Sequence, residues 1–176
     1  MAFLPYPERG PGMPRRSDYF TPDRHLYTSG WFDGVHRIML PFGCTRAPYY
    51  PPDPRCPGDE GFHHGVDIAM PCGTPLHAAL GGRVLDAQQS GTLGPAYGTN
   101  AILIRNRRHR VDVVLGHASR LLVTPGQHVH RGELVALSGH NGAPDGCHLH
   151  FEVRPIGGSY TSAVPPLSYL RLARVK

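Results

Sequence analysis

Apolar residues in this chain fall in short runs cut by glycine, proline and polar clusters, and no stretch holds a long helical period. Val35–Leu40 (VHRIML), Asp67–Met70, Thr74–Ala79, Arg83–Gln88 (RVLDAQ), Glu133–Ser138 (ELVALS) and His148–Arg154 each read as a strand. Asn100–Arg105 (NAILIR) and Val111–His117 (VDVVLGH) are rich in β-branched residues and are joined by a basic turn, which predicts a hairpin. Gly81 and Gly82 mark a turn, Val123–Gly132 is turn-rich, and Pro165–Leu172 predicts one short C-terminal helix. The pattern predicts a mainly β protein, with a single antiparallel β-sheet domain over residues 35–176. Residues 1–34, rich in proline and glycine and without periodicity, read as an extended N-terminal arm. The stretches Phe42–Glu60, Ser90–Thr99 and Ser138–Gly146 are loops. Long loops in a compact domain are commonly functional, so these are the expected walls of a groove.

The last predicted strand carries the first chemical signal. Side chains alternate faces along a strand, so His148 and His150 point one way while Leu149 and Phe151 point into a core. Two buried imidazoles side by side make sense if one holds a metal and the other projects into the same pocket. An upstream stretch, GFHHGVDIAMP, supplies a second histidine and an acid, His63 and Asp67. In a straight strand these would stand about 13 Å apart, too far to share an ion. Gly65 between them permits a kink and leaves space. His64 points to the opposite face from His63 and is the weaker candidate. Two histidines, one carboxylate and an open fourth position form a catalytic zinc arrangement, and the expected groove is centred on that metal. His117 ends a strand before a small-residue turn, where a side chain can lean over a groove. His25, His36, His77, His109, His128, His130 and His140 occupy no spacing tied to chemistry.

Composition narrows the picture. Hydrophobic residues make up 40% and charged residues 18%, alongside 22 glycines and 19 prolines, which favours many short strands in a globular domain. The net charge of +5 comes almost wholly from arginine, since Lys176 is the only lysine. Such an excess favours an anionic partner: nucleic acid, a membrane surface or a wall polymer. The densest cluster, RNRRHR at Arg105–Arg110, has no interleaved aromatics of the kind that stack on bases, which argues against nucleic acid. No apolar run reaches the length of a membrane span. Met1–Phe20 holds several prolines and no signal-peptide apolar core, so a soluble chain with another export route, or a trimmed one, is expected. A Cys44–Cys56 bridge would pin the proline-rich loop. Cys72 and Cys147 would lie on one side of the shared metal and could pair.

The stretches HHGVDIAMPCGTPLHAALGGRV, LGHASRL, PGQHVHRGELVALSGHNGAPDGCHLHFEV and VPPLSYL, in this order, resemble the lysostaphin-type (LytM-type) zinc endopeptidases. The resemblance covers roughly residues 36 to 170. It implies that His63, Asp67 and His150 hold one zinc ion and that His117 and His148 are the catalytic histidines. It implies an antiparallel sheet with a groove over the metal, and cleavage of peptide bonds in bacterial peptidoglycan, in cross-bridges or stem peptides. A monomer is expected, with no nucleic acid partner and no membrane insertion. Family members usually carry a signal peptide or wall-targeting module. Neither is apparent, which fits a phage-type lysin, a virion-associated enzyme or a trimmed secreted form. Some relatives are inhibited by a pro-segment; residues 1–34 offer His25 and several acids for such a role. Three rival readings remain, one of them a peptidase acting on non-wall protein such as Gly-rich sequences. A non-catalytic wall-binding or hydrolase-activating relative would be expected to lose metal ligands, all of which are present here. A virion-associated entry component would share the site.

Overall fold

The computed structural model describes residues 12–89 and 93–176. Its strands are β1 (Tyr27–Ser29), β2 (Phe32–Leu40), β3 (Gly43–Thr45), β4 (Gly61–His63), β5 (Val66–Ala69), β6 (Pro75–His77), β7 (Gly82–Leu85) and β8 (Ile102–Asn106). There follow β9 (Val111–Gly116), β10 (Arg120–Leu121), β11 (His128–Val129), β12 (Leu134–Leu137), β13 (His148–Pro155), the one-turn helix α1 (Leu167–Leu170) and β14 (Ala173–Arg174). All pair antiparallel. Along the main sheet the order is β10-β12-β6-β2-β5-β13-β9-β8-β7-β11, with β1 and β14 added beside β2, while β3 and β4 form a separate ribbon. The protein is therefore mainly β, one curled antiparallel sheet.

The sheet is organised around β13, which pairs with β5 on one side and β9 on the other. Alternation does the sorting. Leu149, Phe151 and Val153 enter the main core with Trp31, Ile68 and Leu115. His148, His150, Glu152 and Arg154 take the opposite face, and they too are buried. The ring of Phe151 meets that of Trp31 edge-on at 4.9 Å, and Trp31 Nε1 donates to the Tyr169 carbonyl. Burial on both faces explains why an alternating strand occupies a central position.

Several boundaries differ from the sequence reading. The strand predicted over Arg83–Gln88 stops at Leu85, because the Asp86 carboxylate accepts from the Gln88 amide and starts a turn. The run Thr74–Ala79 contracts to β6, and the turn-rich Val123–Gly132 contains the edge strand β11. The helix predicted over Pro165–Leu172 is the single turn α1, ended by Arg171 in left-handed conformation at φ 50°. From the arm, β1 joins the sheet and Trp31 fills the core; residues 1–11 of that arm lie outside the described residues. Both cysteine pairings occur. Cys44–Cys56 closes the proline-rich loop, and Cys72–Cys147 ties the β5–β6 turn to the entrance of β13.

Candidate active site

The bend at Gly65 lets His63 and Asp67 meet. β4 ends at His63, the chain turns through His64 and Gly65, and β5 begins at Val66. His63 Nε2 then stands 3.3 Å from Asp67 Oδ1. Asp67 is the direct cross-strand partner of His150, and His150 Nδ1 lies 2.8 Å from Asp67 Oδ1 and 3.2 Å from His63 Nε2. One ligand atom from each of the three residues lies within 4.8 Å of the others, and all three residues are buried. The clearance expected at Gly65 proves to be clearance for the His150 ring. A Cβ at Gly65 would come within 2.7 Å of His150 Cε1, and a Cβ at Gly116 within 3.1 Å of His150 Cβ. Gly65→Ala is accordingly expected to displace the imidazole and cost on the order of 1–3 kcal/mol. Thermal melting with and without chelator measures this, and an unchanged melt and unchanged metal retention would contradict it.

His148, opposite Ala69, and His117, just past the end of β9, complete the cluster. Their rings are 4.5 Å apart, and His117 is 5.9 Å from the His150 ring. His117 has φ 65°, an uncommon conformation for a non-glycine residue. Its amide donates to the Tyr97 carbonyl and the Asn141 amide donates to its own carbonyl, which fixes this conformation.

Hydrogen bonds at the outer edge of each ring decide which nitrogen faces inward. His63 Nδ1 donates to the Pro41 carbonyl, His117 Nδ1 to Asn141 and His148 Nδ1 to Gly146. Each acceptor is a carbonyl that cannot donate, so Nδ1 carries a proton and Nε2 is the nitrogen aimed at the centre in all three. His150 is turned the other way. Its Nε2 donates to Glu152 Oε2 at 3.0 Å, and Nδ1 faces Asp67. Four imidazoles and a carboxylate thus aim nitrogen and oxygen atoms at one space, an arrangement that fits a cation.

Electrostatics agree. Burial opposes charge on Asp67, yet the neighbouring His63 and His148 and hydrogen bonds from His150 hold its pKa well below the usual carboxylate range. Burial likewise opposes the His150 imidazolium, but bonds to Asp67 and Glu152 raise its pKa to about 9. Burial, with His148 and His150 beside it, pushes His117 down to about 3, so this ring is neutral.

Glu152 is a residue the sequence reading missed. It accepts from His150 and Arg154 and from the Tyr97 hydroxyl at 2.7 Å, while Arg154 Nη2 donates to that same hydroxyl. The signal was the continuation of the alternation, His148, His150, Glu152, Arg154, along one face. A second missed group is Asp145, which accepts from Tyr49 Oη at 2.6 Å and lies 3.6 Å from His148 Nδ1.

A cavity of about 640 Å³ opens over this floor, walled by Tyr49, Tyr50, Phe62, Tyr97 and Pro144. All three expected loops line it, as does Tyr160 beyond β13. Residues 90–92 of the glycine-rich loop lie outside the described residues. His64 lines the wall and meets Arg55 rather than the cluster, and His25 bonds Asp23 at the surface.

The sequence profile of peptidase family M23 matches residues 61–163, which carry this whole cluster. The chain belongs to peptidase family M23. Among M23 relatives, the peptidoglycan DD-endopeptidase ShyA of Vibrio cholerae is 37% identical over 91 residues, covering 52% of this chain and 20% of ShyA. The chain spans about a fifth of the length of the first curated relatives it matches. The catalytic domain of lysostaphin from Staphylococcus simulans superposes with a TM-score of 0.61 at 26% identity, covering 77% of this chain and 92% of that domain. A zinc-containing peptidase from Vibrio cholerae superposes with a TM-score of 0.56 at 26% identity, covering 86% of this chain and 39% of that one.

Proposed function

We propose that this M23 chain is a zinc-dependent endopeptidase that hydrolyses peptide bonds in bacterial peptidoglycan. The observation that carries the reading is the convergence of His63, Asp67 and His150 at the floor of the groove, beside two further histidines whose Nε2 atoms face the same space. The names of its relatives, a peptidoglycan endopeptidase and lysostaphin, support the same substrate class.

In this reading His63, Asp67 and His150 hold the ion. Zinc bound there supplies Lewis acidity, lowering the pKa of coordinated water and polarising a carbonyl. His117 and His148 handle the protons. In each, Nδ1 donates to a backbone carbonyl, which leaves Nε2 as the nitrogen that takes a proton from water and returns it to the leaving amine. Asp145 and the Gly146 carbonyl keep the His148 ring from turning. The aromatic walls at Tyr49, Tyr50 and Tyr97 hold the peptide and exclude water from the floor.

The test is digestion of purified peptidoglycans that differ in cross-bridge chemistry, with mass spectrometry of the released fragments. Chelator should stop cleavage and zinc should restore it. If the zinc-loaded chain releases no new amino termini from any of these walls, the reading fails.

A further inference from the structure

The basic cluster RNRRHR has a definite place in the fold. It forms the β8–β9 turn, where Arg107, Arg108 and Arg110 are exposed. No carboxylate lies within ion-pair distance of these three, or of Arg83 and Arg131, among the described residues. The turn is rigid. Asn106 accepts from the His109 amide and donates to the Gly81 carbonyl, and Gly81 packs on the backbone of Val129–Arg131. Arg131 therefore neighbours the turn. Arg110 has φ 56°, a conformation that eleven glycines adopt elsewhere in the described chain. An arginine is held here where glycine would be relaxed.

Sheet register fixes the direction in which part of this charge faces. His128, Arg83, Arg105, Asp112 and Arg154 are successive cross-strand partners on one line. Arg154 shares its face of β13 with His150 and Glu152, so Arg83 and His128 stand on the groove face of the sheet. Arg105 is neutralised by a two-point ion pair with Asp112, which leaves Arg83 as the uncompensated charge of that line. From His150 the line lies about 13 Å along β13, and Arg83 lies about 14 Å across it.

We infer that the β8–β9 turn, with Arg83 and Arg131, is a docking surface for the carboxylates of the wall polymer whose peptide enters the groove. The partner's identity rests on the proposed function. Its chemistry follows from the surface: guanidinium groups without carboxylate partners among the described residues pair in a planar, two-point fashion with carboxylates. Their separation from the metal suits a polymer that continues past the scissile bond. The turn holds no Phe, Tyr or Trp, and its one ring, His109, lies edge-on to Tyr169.

The experiment is sedimentation of the full zinc-loaded chain with purified peptidoglycan, briefly and on ice, against salt. A variant combining Arg107→Gln, Arg108→Gln and Arg110→Asn is compared, and a thermal melt checks its fold. We expect about tenfold weaker binding at low salt, roughly two- to threefold per arginine, the scale of exposed ion pairs. Raising the salt should erase the difference. Peptidoglycan with its carboxyl groups amidated should bind the wild type at least as weakly as untreated wall binds the variant. Equal binding by variant and wild type overturns the inference. So does full binding to amidated wall, or loss of binding only when phosphodiester polymers are stripped. Cleavage is read separately, so failure here leaves the peptidase reading standing.

Discussion

Alanine at His63, Asp67 or His150 is expected to remove metal and peptidoglycan cleavage together, whereas alanine at His117 or His148 should remove cleavage and leave the metal in place. The split follows from geometry. The first three residues place their inward atoms within 4.8 Å of one another, and each is buried, so deleting one opens a hole in the donor set. His117 and His148 are not among these converging atoms; their rings lie 4.5 Å apart beside them, with His148 Nε2 3.6 Å from Asp67 Oδ2. Loss of a positioned acid–base group typically costs 10²–10⁴-fold in rate, so each of these variants should retain at most about a hundredth of the wild-type activity. Metal stoichiometry by elemental analysis and initial rates on purified wall measure the two effects separately. Full activity in His117→Ala would remove that residue from the proposal. Metal retained at full stoichiometry in Asp67→Ala would remove the ligand assignment.

How much of this was readable in the sequence varied with the length of the signal. The face shared by His148 and His150 needed only alternation, and β13 is long enough for alternation to show. The bend between His63 and Asp67 could be argued from Gly65, although the reason for glycine there, the His150 ring packed against it, needed the fold. Two-residue strands such as β10, β11 and β14 are too short to carry a period, and pairing partners alone define them. β1 and Trp31 were hidden in a proline-rich segment, because a lone tryptophan has no periodicity and declares itself only against Phe151. The groove walls were legible as loops. Their contacts were not: Tyr49 meets Asp145 across 96 positions and Tyr97 meets Glu152 across 55, separations that no local pattern encodes.

Glu152 gives the second large effect. Glu152→Gln is expected to weaken zinc binding by about 10–100-fold, although residue 152 is not among the converging ligand atoms. The carboxylate accepts from His150 Nε2, which fixes the ring so that Nδ1 faces Asp67, and its negative charge makes that nitrogen a stronger donor. A glutamine can offer an oxygen to Nε2, but without the charge. Its amide nitrogen also conflicts with Arg154, whose Nε now donates to Glu152 Oε1. Competition titration against a chromogenic chelator reads the affinity. A purely structural role would predict a lower melting temperature with affinity unchanged. The metal-free protein offers a second readout. There the His150 imidazolium sits between Asp67 and Glu152 with its pKa raised from the ordinary 6.5 to about 9. A raised folded-state pKa means a stabilising contribution that is full below about pH 6.5 and lost as pH climbs through about 9. In Glu152→Gln one of the two carboxylates is gone, so melting of the chelator-treated variant should lose this contribution at lower pH than wild type does. Coincident pH profiles for the two proteins would mean that Glu152 does not act through His150.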